Sequence, residues 1–200
     1  SVPWSEQEFD GLDLGDRRLE NRLPELLSSR WEHPQRSFCR SFKCAAQAKA
    51  AYRLIESSKA GISFATLLAP HQHQTHRRMA AESVVVLAQD TTTLSYNTLH
   101  HTRDLGPVGD SRSPGRGLWL HSMQAFRTDG IPLGNAWAKL WARSGESDSP
   151  QRNQQSVSDK ESVRWIEAYQ AASRLARRMP QSHLVVCGDR ESDIFDLFDQ

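Results

Sequence analysis

Two short runs, SVVVLA at 83–88 and HLVVCG at 183–188, constrain what this chain can fold into more than any other feature. Both are β-branched and continuously apolar, a pattern that predicts strands buried on both faces. Each is expected to end at an aspartate, the first at Asp90 and the second at Asp189. A strand buried on both faces needs cover from other elements, and 200 residues suffice for one such sheet with its helices and a smaller module besides.

The elements between the two runs follow from local signals. Residues 97–116 are polar and rich in Gly and Pro, and read as a loop. Residues 117–127 and 132–143 read as two strands joined by the turn Thr128-Asp129-Gly130. The Ser-, Gln- and Asp-rich stretch 144–156 reads as a mobile loop. Ser158-Asp159-Lys160-Glu161 is a capping box, in which hydroxyl and carboxylate satisfy each other's orphan backbone N–H groups. It predicts a helix with Val163, Ile166, Tyr169, Ala172 and Ala176 on one face, stopping before Pro180, and a last helix is expected from about Ser192. From residue 83 the order is therefore βββαβα, the order of an RNase H-like fold.

Before residue 82 the grammar is helical. Leu19, Leu23, Leu26 and Leu27 form an apolar stripe, which Pro24 is expected to interrupt or kink. A looser stretch, 31–43, precedes an Ala-rich helix over about 44–57 that carries Tyr52, Leu54 and Ile55. A third helix is predicted over about 63–81 with Phe64, Leu67 and Leu68 inward, and Pro70 marks either a break or the first turn of a new helix. The fold class is thus α+β or α/β: a small all-α module at 1–80, then a mixed domain at 81–200.

Charge follows the same division. The net formal charge of +1 suggests no polyanion partner, but it is an average. Residues 1–16 carry −5, residues 17–80 carry +8, residues 81–180 carry +2 and residues 181–200 carry −4. A basic block confined to the helical module points to nucleic acid, although any single Lys or Arg in it reads equally as solvated helix surface. No apolar run reaches the roughly 18–20 residues that span a bilayer, and no secretory leader is recognisable. Three cysteines, Cys39, Cys44 and Cys187, are too few and too oddly numbered for a disulfide scaffold and read as buried or free thiols.

Asp90 and Asp189 carry the chemistry. Carboxylates at matching ends of adjacent strands, which lie about 4.8 Å apart, can share one hard divalent cation. Two such ions roughly 3.5–4 Å apart are the common equipment of phosphoryl transfer. The competing reading is structural, with Asp189 capping the final helix and Asp90 bonding back to Thr92 in an Asx-turn.

The residues around them narrow the choice. The stretch QDTTTLSY at 89–96 resembles the first-aspartate motif of the bacterial cut-and-paste DDE transposases of the insertion-sequence-four family. LGDRR at 14–18 and AYRLI at 51–55 resemble parts of that family's N-terminal DNA-binding region. RGLWLHS at 116–122 resembles its second strand, and DKES at 159–162 with VCGDRESDI at 186–194 resembles its helix and second-aspartate motif. The segments fall in the family's order over roughly residues 4–200.

The resemblance implies a protein that binds double-stranded transposon-end DNA, cuts it with Mg²⁺ (Mn²⁺ as a substitute) and joins the freed ends to a target. Asp90 and Asp189 would be the first two carboxylates of the triad and metal ligands. Arg17, Arg18, Arg22 and Arg53 match the end-binding surface, Arg22 only with one residue inserted before it. It also implies a homodimer and a bacterial cytoplasmic, nucleoid-associated location. Guanidinium groups on helices suit phosphate independently of any family, because they donate bidentate, charge-assisted bonds.

The departures from the family matter as well. Its third carboxylate lies far downstream in a Tyr-Arg-Glu-Lys signature that this sequence does not contain, nor does its dimerisation region match. Glu191 and Asp193 belong to the start of the last helix, where the family has equivalents besides its triad glutamate. The chain begins with Ser and stops within the periodic run Ile194, Leu197, Phe198, so a fragment is expected. Two rival readings remain: an inactive fragment or regulator that occupies DNA ends without cutting, and a metal-dependent hydrolase of small phosphates. His71, His73 and His76 read as surface histidines, and the six tryptophans (4, 31, 119, 137, 141 and 165) read as core. The glycines at 106–117 frame no phosphate-binding loop.

Overall fold

A computed structural model describes residues 2–57, 61–98, 101–109, 112–143 and 157–189, with side chains in the last stretch from Val163 onward. The chain divides into two compact units, Ser1–Gln74 and Thr75–Gln200.

The first unit is helical. Its elements are α1 (Trp4–Glu8), α2 (Arg17–Glu32), a single 3-10 turn at Cys39–Ser41, α3 (Ala45–Ile55) and the start of α4 (Phe64–Ala80). Buried Leu14, Leu19, Leu23 and Leu54 form its core, with Leu26, Leu27, Ile62 and Leu67 packed against them. The LGDRR segment is the device that starts α2. Gly15 adopts a φ of +66°, which an L side chain rarely tolerates. Asp16 then caps the helix by accepting from the Arg18 backbone N–H at 3.0 Å, and Glu20 reaches back to accept from the Leu14 N–H at 3.0 Å. Leu14 is thereby held in the core and the two arginines that follow are directed onto the first turn.

Neither proline breaks its helix. Pro24 lies within a continuous α2 and Pro70 within a continuous α4, and each is buried. Packing of the ring compensates for the lost backbone hydrogen bond, so tertiary burial overrides the local penalty. Phe64, expected inward, is exposed, and so are Trp4 and Trp31, which pack edge-on against each other with centroids 5.7 Å apart. The loose stretch after α2 is tied by one residue. The Arg30 guanidinium donates to the Arg36 carbonyl at 2.8 Å, the Ser41 hydroxyl at 2.6 Å and the Pro34 carbonyl at 3.3 Å.

The second unit is built on a mixed sheet. Its strands are β1 (Val84–Ser95), β2 (Gly106–Val108), β3 (Gly115–Arg127), β4 (Pro132–Trp141) and β5 (His183–Cys187), with α5 (Val157–Arg178) between the last two. β3 pairs with β1 and β4, and β1 pairs in turn with β5. β1, β3 and β4 are successively antiparallel, β5 is parallel to β1, and β2 pairs with the first residues of β3. The core gathers Val85, Leu87, Met123, Ala125, Leu133 and Ala136 from the sheet with Ala171, Ala172, Leu175 and Met179 from α5 and its C-terminal end. Met79, near the end of α4, joins it. Side chains from that turn also serve the sheet: His76 Nε2 bonds the Ala136 carbonyl at 2.9 Å and Arg78 Nε donates to the Leu133 carbonyl at 2.6 Å. These carbonyls of β4 are thus satisfied by side chains rather than by another strand.

Four readings of this region need correction. β1 does not stop at Asp90 but continues to Ser95, because the β-branched Thr91, Thr92 and Thr93 pair with His121, Leu120 and Trp119. Its run is fully buried on one face only, at Val85, Leu87 and Gln89, while Val84, Val86 and Ala88 are half-buried. The stretch 97–116 contains β2 rather than loop alone. The buried stripe of α5 is Trp165, Ala168, Ala172 and Leu175, whereas Val163 and Ala176 are exposed, and the helix is already formed at Val157, one residue before Ser158. Ala172 keeps its expected place, and the large ring of Trp165 takes the buried position that Val163 was expected to hold. The expected loop at 144–156 and the last helix from Ser192 lie outside the described residues.

No helix among the described residues is long and apolar enough to cross a membrane.

Candidate functional site

The basic candidates sit on two packed helices of the first unit. Arg17 and Arg18 are exposed on the first turn of α2, directly after the Asp16 cap. Arg22 stands one turn beyond Arg18 and is half-buried at the seam with α3, where it lines a small hollow with Glu25, Ser29, Phe42 and Gln47. Arg53 is exposed on the last turn of α3. Arg17 has an acidic setting. It shares a hollow of about 470 Å³ with Glu6, Asp10, Glu20 and Glu25, so part of its field is cancelled locally.

Several other candidates have structural partners. His71 Nδ1 lies 2.7 Å from Glu8 Oε1, and its ring stacks near Phe9. His76 is engaged with β4, and His73 is exposed. All three cysteines are exposed free thiols rather than buried ones, with Cys39 Sγ 2.9 Å from the Tyr52 hydroxyl.

The acidic candidates lie at one end of the β1–β5 pair. The parallel ladder matches Val84 with His183 and ends with Ala88 opposite Cys187. Asp90 and Asp189 each stand two residues beyond that last pair, and both are exposed. β1 continues through Asp90, whereas β5 ends at Cys187, so the ladder sets Ala88 level with Cys187 and Asp189 follows two residues after its strand. Their oxygen donors are of the kind hard divalent cations prefer, and neighbouring strands bring such groups within reach of a common ion. The donor set therefore suits Mg²⁺ or Mn²⁺, with Asp90 and Asp189 as the residues that would hold it. Among the described residues no third His, Cys, Asp or Glu joins them. Glu191 and Asp193 lie outside the described residues. The Asx-turn expected at Asp90 is not formed in that way: Asp90 Oδ1 accepts from the backbone N–H of the next residue, Thr91, at 2.7 Å.

Behind Asp90, on the buried face of β1, lies a group that sequence reasoning missed. His121 of β3 is wholly buried opposite Thr91. Its Nδ1 is 2.6 Å from Thr91 Oγ1 and its Nε2 is 3.1 Å from Gln89 Oε1. Trp165 and Trp137 meet the ring edge-on at centroid distances of 4.7 and 5.9 Å. Burial, reinforced by the nearby Arg164 guanidinium and opposed by Asp90, pulls the His121 pKa down from 6.5 to about 4. The ring is thus neutral near pH 7. With the amide as placed, Nε2–H donates to Gln89 and Nδ1 accepts from the Thr91 hydroxyl. The only signal for this in the sequence is the histidine of RGLWLHS, at a strand position where the pattern asks for an apolar residue.

A stability consequence follows. A base whose pKa is depressed by folding binds its proton more readily when unfolded, so its contribution is complete above about pH 6.5 and is lost as pH falls toward 4. Unfolding by urea should show a loss of up to about 3 kcal/mol over that interval. In His121→Gln the fall should be smaller than in the wild type. Equal falls in the two proteins would mean that other groups govern the acid limb.

A family model described as transposase DNA-binding matches residues 1–60. The matched stretch takes in α1, α2 and α3, and with them all four candidate arginines. The N-terminal part of this chain is thus similar to the DNA-binding part of transposases, and DNA is the partner that the match supports.

Proposed function

We propose that this chain is the N-terminal part of a cut-and-paste DDE transposase of the insertion-sequence-four type. In this reading the helical unit grips transposon-end DNA, and the second unit is an RNase H-like core that presents Asp90 and Asp189 to the scissile phosphodiester. The observation that supports the catalytic half is that Asp90 and Asp189 each come two residues after the last pair of the parallel β1–β5 ladder, at the same end of neighbouring strands. The pairing of β3 with β4 and β1, and of β1 with β5, with α5 leading into a strand parallel to β1, supports the same core.

A bound divalent cation would supply charge neutralisation at the phosphoryl oxygens and lower the pKa of an attacking hydroxyl. The chain's own part is positional. Asp90 and Asp189 fix the ligand oxygens, with Asp90 Oδ1 already oriented by the Thr91 amide. Arg17, Arg18 and Arg53 hold phosphates of the duplex, and Arg22 at the α2–α3 seam steadies the surface between them. The family resemblance adds that two copies act together on two ends.

The test is incubation of end-containing duplex DNA with the polypeptide that carries all three carboxylates, in Mg²⁺ and in EDTA. Metal-dependent cleavage is expected. Tight binding with no cleavage would favour the end-occupying reading, and turnover of small phosphate esters without duplex binding would favour the hydrolase.

A further inference from the structure

We propose that His121 is a positioning residue for Asp90, acting as a clamp on the two residues that flank it. The proposal rests on the reading of Asp90 as a metal ligand and goes beyond it. Alternation along β1 points Asp90 to one face of the sheet, and Gln89 and Thr91 to the other. One imidazole engages both neighbours, Gln89 through Nε2 and Thr91 through Nδ1. The clamp then continues to the carboxylate itself, since the Thr91 N–H donates to Asp90 Oδ1 at 2.7 Å. The ring cannot easily turn, because Trp165 and Trp137 hold its edges and it is wholly buried. An exposed aspartate on a strand ordinarily samples several rotamers. Here the backbone on either side of it is fixed from beneath, so the carboxylate is offered in one orientation before any cation arrives. Such support behind a ligand commonly tunes metal affinity 10–100-fold when it is removed.

The test is Mn²⁺ affinity, measured by titration calorimetry on the whole chain at a temperature where every variant is fully folded by circular dichroism. Thr91→Val keeps the shape and strand preference but removes the hydroxyl, and should weaken Mn²⁺ binding about 10-fold. Thr91→Ser, a poorer strand former that keeps the hydroxyl, should stay within about twofold of wild type. His121→Ala should weaken binding at least as much as Thr91→Val. Leu175→Ala, which loosens the core away from Asp90, should leave the affinity unchanged. Wild-type affinity in Thr91→Val would overturn the clamp, as would equal losses in the Ser and Val variants. Asp90→Asn separates the two readings. If it abolishes binding while Thr91→Val does not weaken it, the clamp alone falls. If it binds as wild type does, Asp90 is no ligand and both fall.

Discussion

Replacing Asp90 or Asp189 with alanine is expected to abolish metal-dependent cleavage by the polypeptide that carries the complete triad, and to leave its affinity for duplex DNA within about twofold. The size follows from what a metal site contributes. Loss of a ligand forfeits several kcal/mol of transition-state stabilisation, and about 4 kcal/mol corresponds to roughly three decades in rate. On the proposed shared metal site each carboxylate should count nearly fully, because residues that act as a unit are not additive. The fold should hardly notice. Both residues are exposed, and surface substitutions away from caps and cores are usually within about 0.5 kcal/mol. Asp90→Ala removes one local hydrogen bond, from the Thr91 amide, which water can replace. Cleavage rates with melting temperatures and binding isotherms check all three points together. Loss of DNA binding in both variants would show that these carboxylates hold structure rather than metal.

The second large effect concerns the helical unit. Replacing Arg17 and Arg18 together with alanine should weaken duplex binding and reduce the slope of log affinity against log salt by about 2, since each phosphate contact contributes close to one unit. The two arginines should not contribute equally. Arg17 lines a hollow with Glu6, Asp10, Glu20 and Glu25, whereas Arg18 is exposed and does not line it. Arg18→Ala alone should therefore take the larger share of the loss. Folding should be preserved in both single variants, because the Asp16 cap uses the backbone N–H of residue 18 and not its side chain. Fluorescence anisotropy over a salt series measures slope and affinity at once. An unchanged slope in the double variant would move the phosphate contacts to other residues of the basic block.

Much of this architecture was legible in the residues, and the misses share a cause. The β-branched runs at 84–88 and 183–187 announced their strands, and the apolar spacing of Leu19 and Leu23 announced the buried side of α2. Local rules failed where packing outweighed them. Pro24 and Pro70 are accommodated inside helices because each ring is buried. The face of α5 is set by Trp165, which is almost wholly buried together with Ala168, Ala172 and Leu175 and leaves Val163 exposed. That Asp90 and Asp189 follow like ends of two strands could be anticipated from the two runs, but the parallel register that sets Ala88 against Cys187 is encoded in no single run. His121 was the least visible. A lone histidine in a strand gives no hint that its two nitrogens reach residues 89 and 91 across a β ladder.

The claim on which the rest depends is that the helical N-terminal unit is a phosphate-contacting DNA-binding module. Equilibrium binding of the whole chain to duplex DNA, measured by anisotropy from about 50 to 200 mM salt, tests it most directly. With several phosphate contacts, affinity should fall by roughly two to three decades across that range, linearly in log salt. A flat dependence, or no measurable binding at low salt, would contradict the account.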